Sequence, residues 1–475
     1  MNVLIIATNR NRHPMPVMPL GACLVAEAAE KAGHCVGLLD LMFAREPARA
    51  VAAAVKKFQP AVIGLSVRNI DNNDMARPAF YPAELPPLFA AIRAAGGAPV
   101  VLGGAAVSIM PEELLRFTGA TCAVCGEGEM VFPELLEGLA AGKLPEDLPG
   151  LAWLEGGVFR ANPPARYGYS RDCPAPDFRR WLHVRAYRRH MATVPLQTKL
   201  GCHFRCVYCT YRKIEGGSYR MLDPASAAAA VRKLTAMGLR DIEIVDNVFN
   251  SPCSHAVAVC EELARLRTGA RLQSLEINPA FVDDPLLKAM EQAGFRGIGL
   301  TVESAAAAVL RGLNKGFGTE AVYGAADVVA RHRLPCLWIF LLGGPGETPE
   351  TVQETLTFAR FAIRPKDVAF FNTGIRVYPG TELERIARRQ GVLRQEPREM
   401  LAPVFYVSPE VEPAWLRQVV KKAMAANLSF LDADSLGLEW LPALNAIGRR
   451  LGVRPPLWRY SRHIRRVLRL MGKDA

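Results

Sequence analysis

The chain has 475 residues, half of them hydrophobic and 22% charged, a balance that fills a core and excludes wholesale disorder. At about 150 residues per domain this gives about three domains. The 58 Lys and Arg against 46 Asp and Glu leave a net charge of +12, and the 39 Gly and 35 Pro follow no collagen-like period. No run of about 18 apolar residues is present to make a spanning helix. Met1 to Thr8 carry no basic leader, so a cytoplasmic protein is expected.

The first 140 residues alternate short apolar runs with helical patterns. Strands are expected at 3–7, 35–40, 61–67, 100–103 and 122–124, with helices at 20–32, 49–58 and 85–95 between them. Strands separated by helices of this length imply a parallel sheet with right-handed crossovers. Ligands bind such sheets beyond the carboxyl ends of their strands. That directs attention to the loops after Ala7, Val67, Leu102 and Val124.

Residues 141–190 are rich in Pro and read as a connector, with extended pieces at 151–159. A second series then places strands at 194–198, 242–246, 275–278, 297–303, 336–342 and 368–375. Helical patterns at 224–237, 256–266, 285–293, 320–332 and 349–361 fall between them. Six β/α units are short of a full eight-fold barrel, so a partial, open barrel is expected over 191–395. From 396 to 475 the strands stop and helices such as 413–428 take over. The fold class expected is therefore α/β, with two parallel-sheet units in series and a helical C-terminal region.

Eleven cysteines suggest metal chemistry for some and packing for others in a reducing compartment. Eight are scattered, and Cys122 and Cys125 lie on an apolar strand, where packing is expected. Cys202, Cys206 and Cys209 fall within eight residues, on the loop after the first strand of the second series. Three thiolates at this spacing can hold a [4Fe–4S] cluster and leave one iron open. A zinc knuckle completed by His203, Cys253 or Cys260 is the competing reading, and no second ligand pair at finger spacing supports it.

Cys202-x-x-x-Cys206-x-Tyr208-Cys209 at the end of the first barrel strand resembles the radical S-adenosylmethionine (SAM) superfamily. The resemblance implies that the three cysteines hold a [4Fe–4S] cluster and that SAM binds its open iron. It further implies SAM contacts from Tyr208, Asp246, Asn278, Glu303 and Gly344, each at or after a strand end. Two departures stand out: Val245-Asp246-Asn247 lacks the family's Gly-Gly-Glu, and Phe340 replaces a glycine upstream of Gly344-Pro345-Gly346-Glu347. Tyr208, Tyr211, Arg376 and Tyr378 are candidate cavity residues; no acid–base residue stands out.

A five-strand parallel domain ahead of such a barrel resembles the cobalamin-binding subclass, with the N-terminal unit (1–140) as a Rossmann-like cobalamin-binding domain. The corrinoid's nucleotide tail needs a slot lined by small residues. Ser66, Gly103, Gly104, Gly126 and Glu127 are the residues that the resemblance places there. His13 stands where a cobalt-ligating histidine would be, without the Asp and Gly that accompany one. An unligated lower face with Arg68 or Asn69 beneath cobalt is expected instead.

The resemblance implies a methyltransferase that moves a methyl from SAM through methylcobalamin to an unreactive carbon. A deoxyadenosyl radical would activate the substrate, and an external flavodoxin or ferredoxin would supply electrons. A radical SAM oxidative cyclase or other ring-forming enzyme of the same architecture is the alternative. A small-molecule or lipid substrate is expected, and nucleic acid is not. tRNA methylthiolation fits poorly, because Cys23, Cys35 and Cys122 do not make a second cluster motif.

Residues 449–475 hold nine Lys and Arg against one Asp, with Leu457, Ile464, Val467, Leu468 and Met471 at helical spacing. Such a basic amphipathic helix is read either as docked on the barrel or as a peripheral contact with the inner membrane surface.

Overall fold

The computed structural model describes residues 1–167, 175–432 and 441–470, the side chains of 441 and 442 excepted; Cys173, Pro174 and the last five residues of the basic tail lie outside it. Eighteen strands run through the described chain: β1 (Asn2–Ala7), β2 (Cys35–Asp40), β3 (Val62–Ser66), β4 (Val100–Gly103), β5 (Cys122–Val124), β6 (Leu151–Glu155), β7 (Val158–Ala161), β8 (Val194–Leu196), β9 (Lys199–Leu200), β10 (Arg220–Met221), β11 (Asp241–Ile244), β12 (Arg271–Ile277), β13 (Phe295–Glu303), β14 (Cys336–Leu342), β15 (Val368–Thr373), β16 (Ile375–Arg376), β17 (Phe405–Tyr406) and β18 (Phe430–Asp432).

The first sheet has the order β2-β1-β3-β4-β5-β6-β7. Its first five strands are parallel, as their near-continuous apolar sequences require of strands covered on both faces. The order reverses between β1 and β3, which opens a crevice at the carboxyl edge. The Pro-rich connector adds β6 and β7 antiparallel at the far edge. Helices at Leu20–Lys31 and Gly128–Ala140 lie together on one face, and those at Pro47–Phe58 and Leu85–Ala95 pack on each other.

The second sheet has the order β18-β15-β14-β13-β12-β11-β8, parallel throughout, with β8 and β18 as free edges. Six of its strands are those expected from the sequence. The seventh, β18, corrects the expectation that strands end near residue 396, as does the β16–β17 pair. β12 also begins four residues earlier than its apolar pattern suggests. Arg271 pairs with Asp241, and Gln273 donates to Glu243, so polar partners on the neighbouring strand let polar residues enter the sheet.

The basic tail is docked. Trp458 lies under the barrel at Gly297, where an added Cβ would come within 2.7 Å of its ring. Arg465, 5% exposed on the helix Ser461–Leu470, donates to the carbonyls of Asn427, Phe430 and Met424, and Arg469 also reaches Met424. These guanidiniums satisfy carbonyls at the end of the helix Pro413–Ala426. No helix among the described residues is long and apolar enough to cross a membrane.

Candidate functional site

The cysteine loop leaves β9 through Gly201, which has φ +85; a Cβ there would lie 2.1 Å from the Ser218 carbonyl. Only glycine allows this approach. Behind the loop, the buried Lys199 ammonium donates to the carbonyls of Phe249 and Ser251, and burial lowers its pKa to about 8. Cys202 is buried, Cys206 and Cys209 are half-buried, and all three are free thiols. Burial raises each thiol, Cys209 to about 12, and Lys315 opposes that rise at all three.

Among the described residues no three His, Cys, Asp or Glu side chains gather around one ion position. His203 is held against the rings of Phe204 and Tyr219, and Cys260 is fully buried in the barrel core. Neither completes a zinc site. The donor set, three thiols on one loop with no competing imidazole or carboxylate ligand, fits the corners of an iron–sulfur cluster.

Beside the thiols, Glu303 at the end of β13 accepts from the Tyr208 hydroxyl at 2.7 Å and from the Lys315 ammonium at 2.9 Å. Its φ of +64 is strained for a non-glycine residue. Glu303 and Tyr208, both expected near SAM, thus sit together at the cysteine loop. Asp246 does not join them. It is fully buried and accepts from the Thr198 backbone and hydroxyl and from the Lys199 backbone, so it braces the turn that launches the loop. This corrects its assignment as a SAM contact.

Asn278 is also buried, accepting from the Ala280 N–H and donating its own backbone N–H to Asn250. Gly344 sits where a Cβ would press on Leu313 at 3.0 Å, and Glu347 after it braces the loop through Gly343 and Thr351.

Three carboxylate and amine positions escaped the sequence reading. Glu215 accepts from the Gly201 N–H, Gln197 and Asn247, tying the loop to two strand ends. Glu276 near the end of β12 has its carboxyl pushed up to about 8 by burial and by Glu303. Lys315 follows a short helix end and resembles any solvent-facing turn lysine in sequence.

On the N-terminal sheet, a cavity of about 180 Å³ opens between the carboxyl edge and the helices Leu20–Lys31 and Gly128–Ala140. Gly21, Gly64, Ser66, Gly103, Gly104 and Gly126 are among its walls. A Cβ at Gly21 or Gly103 would meet nothing within 4 Å, so the missing side chains leave open space. This glycine-walled slot fits the nucleotide end of a corrinoid. Ile214, five residues after Cys209, closes the slot from the barrel side. Arg68 and Asn69 are hydrogen-bonded to each other beside a neighbouring cleft with Thr8 and Tyr81, and Arg68 lies in the field of Tyr211 across the interface.

Two other assignments change. Glu127 is buried against Arg220 of the barrel and does not wall the slot; it is an inter-domain ion pair. Arg376 is not a cavity residue either: it pairs with the buried Asp71 of the N-terminal domain at 2.6 Å and lies over the Tyr378 ring. The loop bearing His13 is tied to the Met42 carbonyl through Arg12 and to Asn445 through the Pro14 carbonyl, and His13 walls neither cavity. Cys122 and Cys125 are buried thiols, both pushed to about 12 by desolvation, in keeping with packing.

Comparison with known proteins agrees with this division. The chain is 26% identical over 388 residues to an uncharacterized methyltransferase of Pyrococcus horikoshii, covering 79% of each. It is 24% identical over 435 residues to the tryptophan 2-C-methyltransferase of Streptomyces laurentii, covering 78% of this chain and 72% of that one. The radical SAM methyltransferase TsrM of Kitasatospora setae, solved with tryptophan and a SAM analog, superposes with a TM-score of 0.86 at 23% identity over 99% of each chain. Residues 10–136 match the model of the B12 binding domain and residues 197–359 that of the radical SAM superfamily. The chain therefore belongs to the cobalamin-binding radical SAM proteins and is a radical SAM enzyme.

Proposed function

We propose that the protein transfers a methyl group from SAM, by way of cobalamin, to a carbon of a small-molecule substrate. The observation that carries this reading is the contact of Ile214 with the glycine-walled slot, which sets the cysteine loop against the edge of the corrinoid site. When bound, cobalamin supplies a cobalt that takes up and releases a methyl group, and the cluster supplies single electrons.

The chain's own residues hold and orient. Cys202, Cys206 and Cys209 would hold the cluster. Tyr208 and Glu303 border the position for SAM, with Asn278 and Gly344 shaping the neighbouring strand ends. Ser66, Gly103, Gly104 and Gly126 would seat the nucleotide tail, and Arg68 with Asn69 would lie at the lower face of the corrin. A guanidinium there would disfavour a further ligand on the metal. Tyr211, 48% exposed, feels the charges of Glu276 and Glu215 in the barrel and of Arg68 in the N-terminal domain, and so stands where the two domains face each other. A substrate bound there would meet both cofactors; the Kitasatospora setae relative was solved with its tryptophan substrate and a SAM analog bound. A flavodoxin or ferredoxin would serve as electron donor.

Anaerobic reconstitution with iron, sulfide and cobalamin, followed by incubation with SAM, tests the reading. S-adenosylhomocysteine is expected only when cobalamin is loaded and only with all three cysteines intact. Its formation at the same rate without cobalamin, or with all three cysteines changed to alanine, would refute the proposal.

A further inference from the structure

Lys315 Nζ reaches the Tyr208 hydroxyl within the cysteine loop at 3.3 Å, and its charge acts on Cys202, Cys206 and Cys209 alike. Its ammonium is buried, 6% exposed, and faces the rings of Tyr208 and Phe317 at 5.9 and 5.7 Å. The ion pair with Glu303 at 2.9 Å supports a charged ammonium in this buried position. Glu303 in turn accepts from the Tyr208 hydroxyl of the cysteine loop. The ammonium and its counter-charge thus both abut the cysteine loop at Tyr208.

The position is rigid. The Val207 N–H donates to the Leu313 carbonyl at 3.1 Å, and Asn314 donates to the Arg205 carbonyl at 2.9 Å, so the segment bearing Lys315 is laced to the cysteine loop. On its other side, Gly312 lies so close to Pro345 that a Cβ would meet the Pro345 carbonyl at 1.9 Å. The strained φ of Glu303 turns its carboxylate to the ammonium from the other flank.

We propose that Lys315 is a positioning residue for cluster reduction, a fixed buried charge that raises the cluster's reduction potential, with Glu303 as the partial counterweight that sets how far. The proposal rests on the cluster reading above. Reduction adds one electron, drawn from a flavodoxin- or ferredoxin-class donor, and one negative charge to a thiolate-bound cluster. A neighbouring cation stabilises that charge most when water is excluded. A solvated surface lysine has no such effect, because salt and water screen it.

The test is a reductive titration of the reconstituted holoenzyme, monitored by electron paramagnetic resonance, with iron and sulfide counted first. Lys315→Met is expected to lower the midpoint potential, and Lys315→Arg to hold it near that of the unaltered protein. Glu303→Gln is expected to move it the opposite way, upward, because the ammonium loses its counter-charge. A merely structural role would not give shifts of opposite sign. A loaded Lys315→Met protein with an unmoved potential, or a Glu303→Gln protein that shifts downward, would overturn the proposal and leave the cluster reading standing. Unaltered protein that takes up no cluster would overturn both.

Discussion

Gly103 ends β4 on the wall of the slot; its φ lies outside the left-handed region, and an added Cβ would meet nothing within 4 Å. Gly103→Leu is thus accommodated without backbone strain, but its side chain occupies part of a cavity of about 180 Å³. A ligand forced to withdraw on the order of 100 Å² of apolar surface loses about 2.5 kcal/mol at 25 cal/mol per Å². That is roughly 60-fold in Kd. Gly104 makes the contrast. Its φ of 100° and ψ of 174° belong to glycine alone, and a Cβ would lie 2.5 Å from the Val67 carbonyl. Gly104→Ala should therefore cost stability, about 1–3 kcal/mol from the backbone before any clash is counted. The assay is titration of apoprotein with cobalamin by absorption, paired with thermal unfolding. Gly103→Leu is expected to keep its Tm and lose affinity, and Gly104→Ala to lose Tm. A Gly103→Leu protein that binds cobalamin as tightly as the unaltered chain would refute the assignment of the slot.

The remaining predictions concern the interface, the acid in the cleft and the tail. Arg376 and Asp71 are both almost fully buried, so Arg376→Met leaves a carboxylate without its partner and should cost about 3–5 kcal/mol, read as a lower midpoint in urea. A gain in stability would show that the pair is not needed for docking the domains. Glu276 has its carboxyl raised to about 8, so the folded state holds a proton that the unfolded chain gives up near the ordinary Glu value. Stability from this group is full below the unfolded pKa of about 4.3 and is lost as pH rises through about 8. Glu276→Gln should flatten that fall in Tm between these limits; an unchanged slope would remove the effect. Trp458→Ala should cost about 2 kcal/mol, less than a fully buried aromatic, because the ring is partly covered. Since Arg465 and Arg469 are spent on carbonyls, pelleting with anionic liposomes should be the same with and without residues 457–475; loss of pelleting on truncation would restore the membrane contact.

Much of this architecture was legible in the sequence, and the reasons differ from place to place. Buried parallel strands such as Val3–Ala7 and Cys336–Leu342 announce themselves as unbroken apolar runs. The cysteine triplet is legible because three thiols at that spacing have few other uses. β18 was missed because Phe430–Asp432 is three residues long and its partner, β15, lies some sixty residues earlier. Asp246 and Glu127 were misjudged for one shared reason. A carboxylate at a strand end serves equally well as a ligand contact or as a brace, and sequence shows the position of a side chain but not its partner. Thr198 and Arg220, the partners that decide the matter, lie 48 and 93 residues away.

The same long-range partners explain how two separately built sheets can serve one reaction. Methyl transfer between cofactors on different domains depends on a fixed separation, since misplacement by an ångström is costly to rate. An apolar interface alone would permit sliding, because dispersion contacts are not directional. Here the interface carries Asp71 with Arg376, Glu127 with Arg220, and Lys213 bonded to the Ile109 carbonyl. Arg166 adds bonds to the carbonyls of Lys213 and Ile214, so the short helix Tyr211–Glu215, whose Ile214 closes the slot, is itself held from the connector. Each of these bonds is lost if either sheet shifts by a residue's length, and two of them leave a buried charge unpaired. The polar interface therefore acts as a gauge between the cluster loop and the slot, and Glu127 and Arg376, taken out of the cobalamin and cavity assignments, are among the residues that set the distance between the two sites.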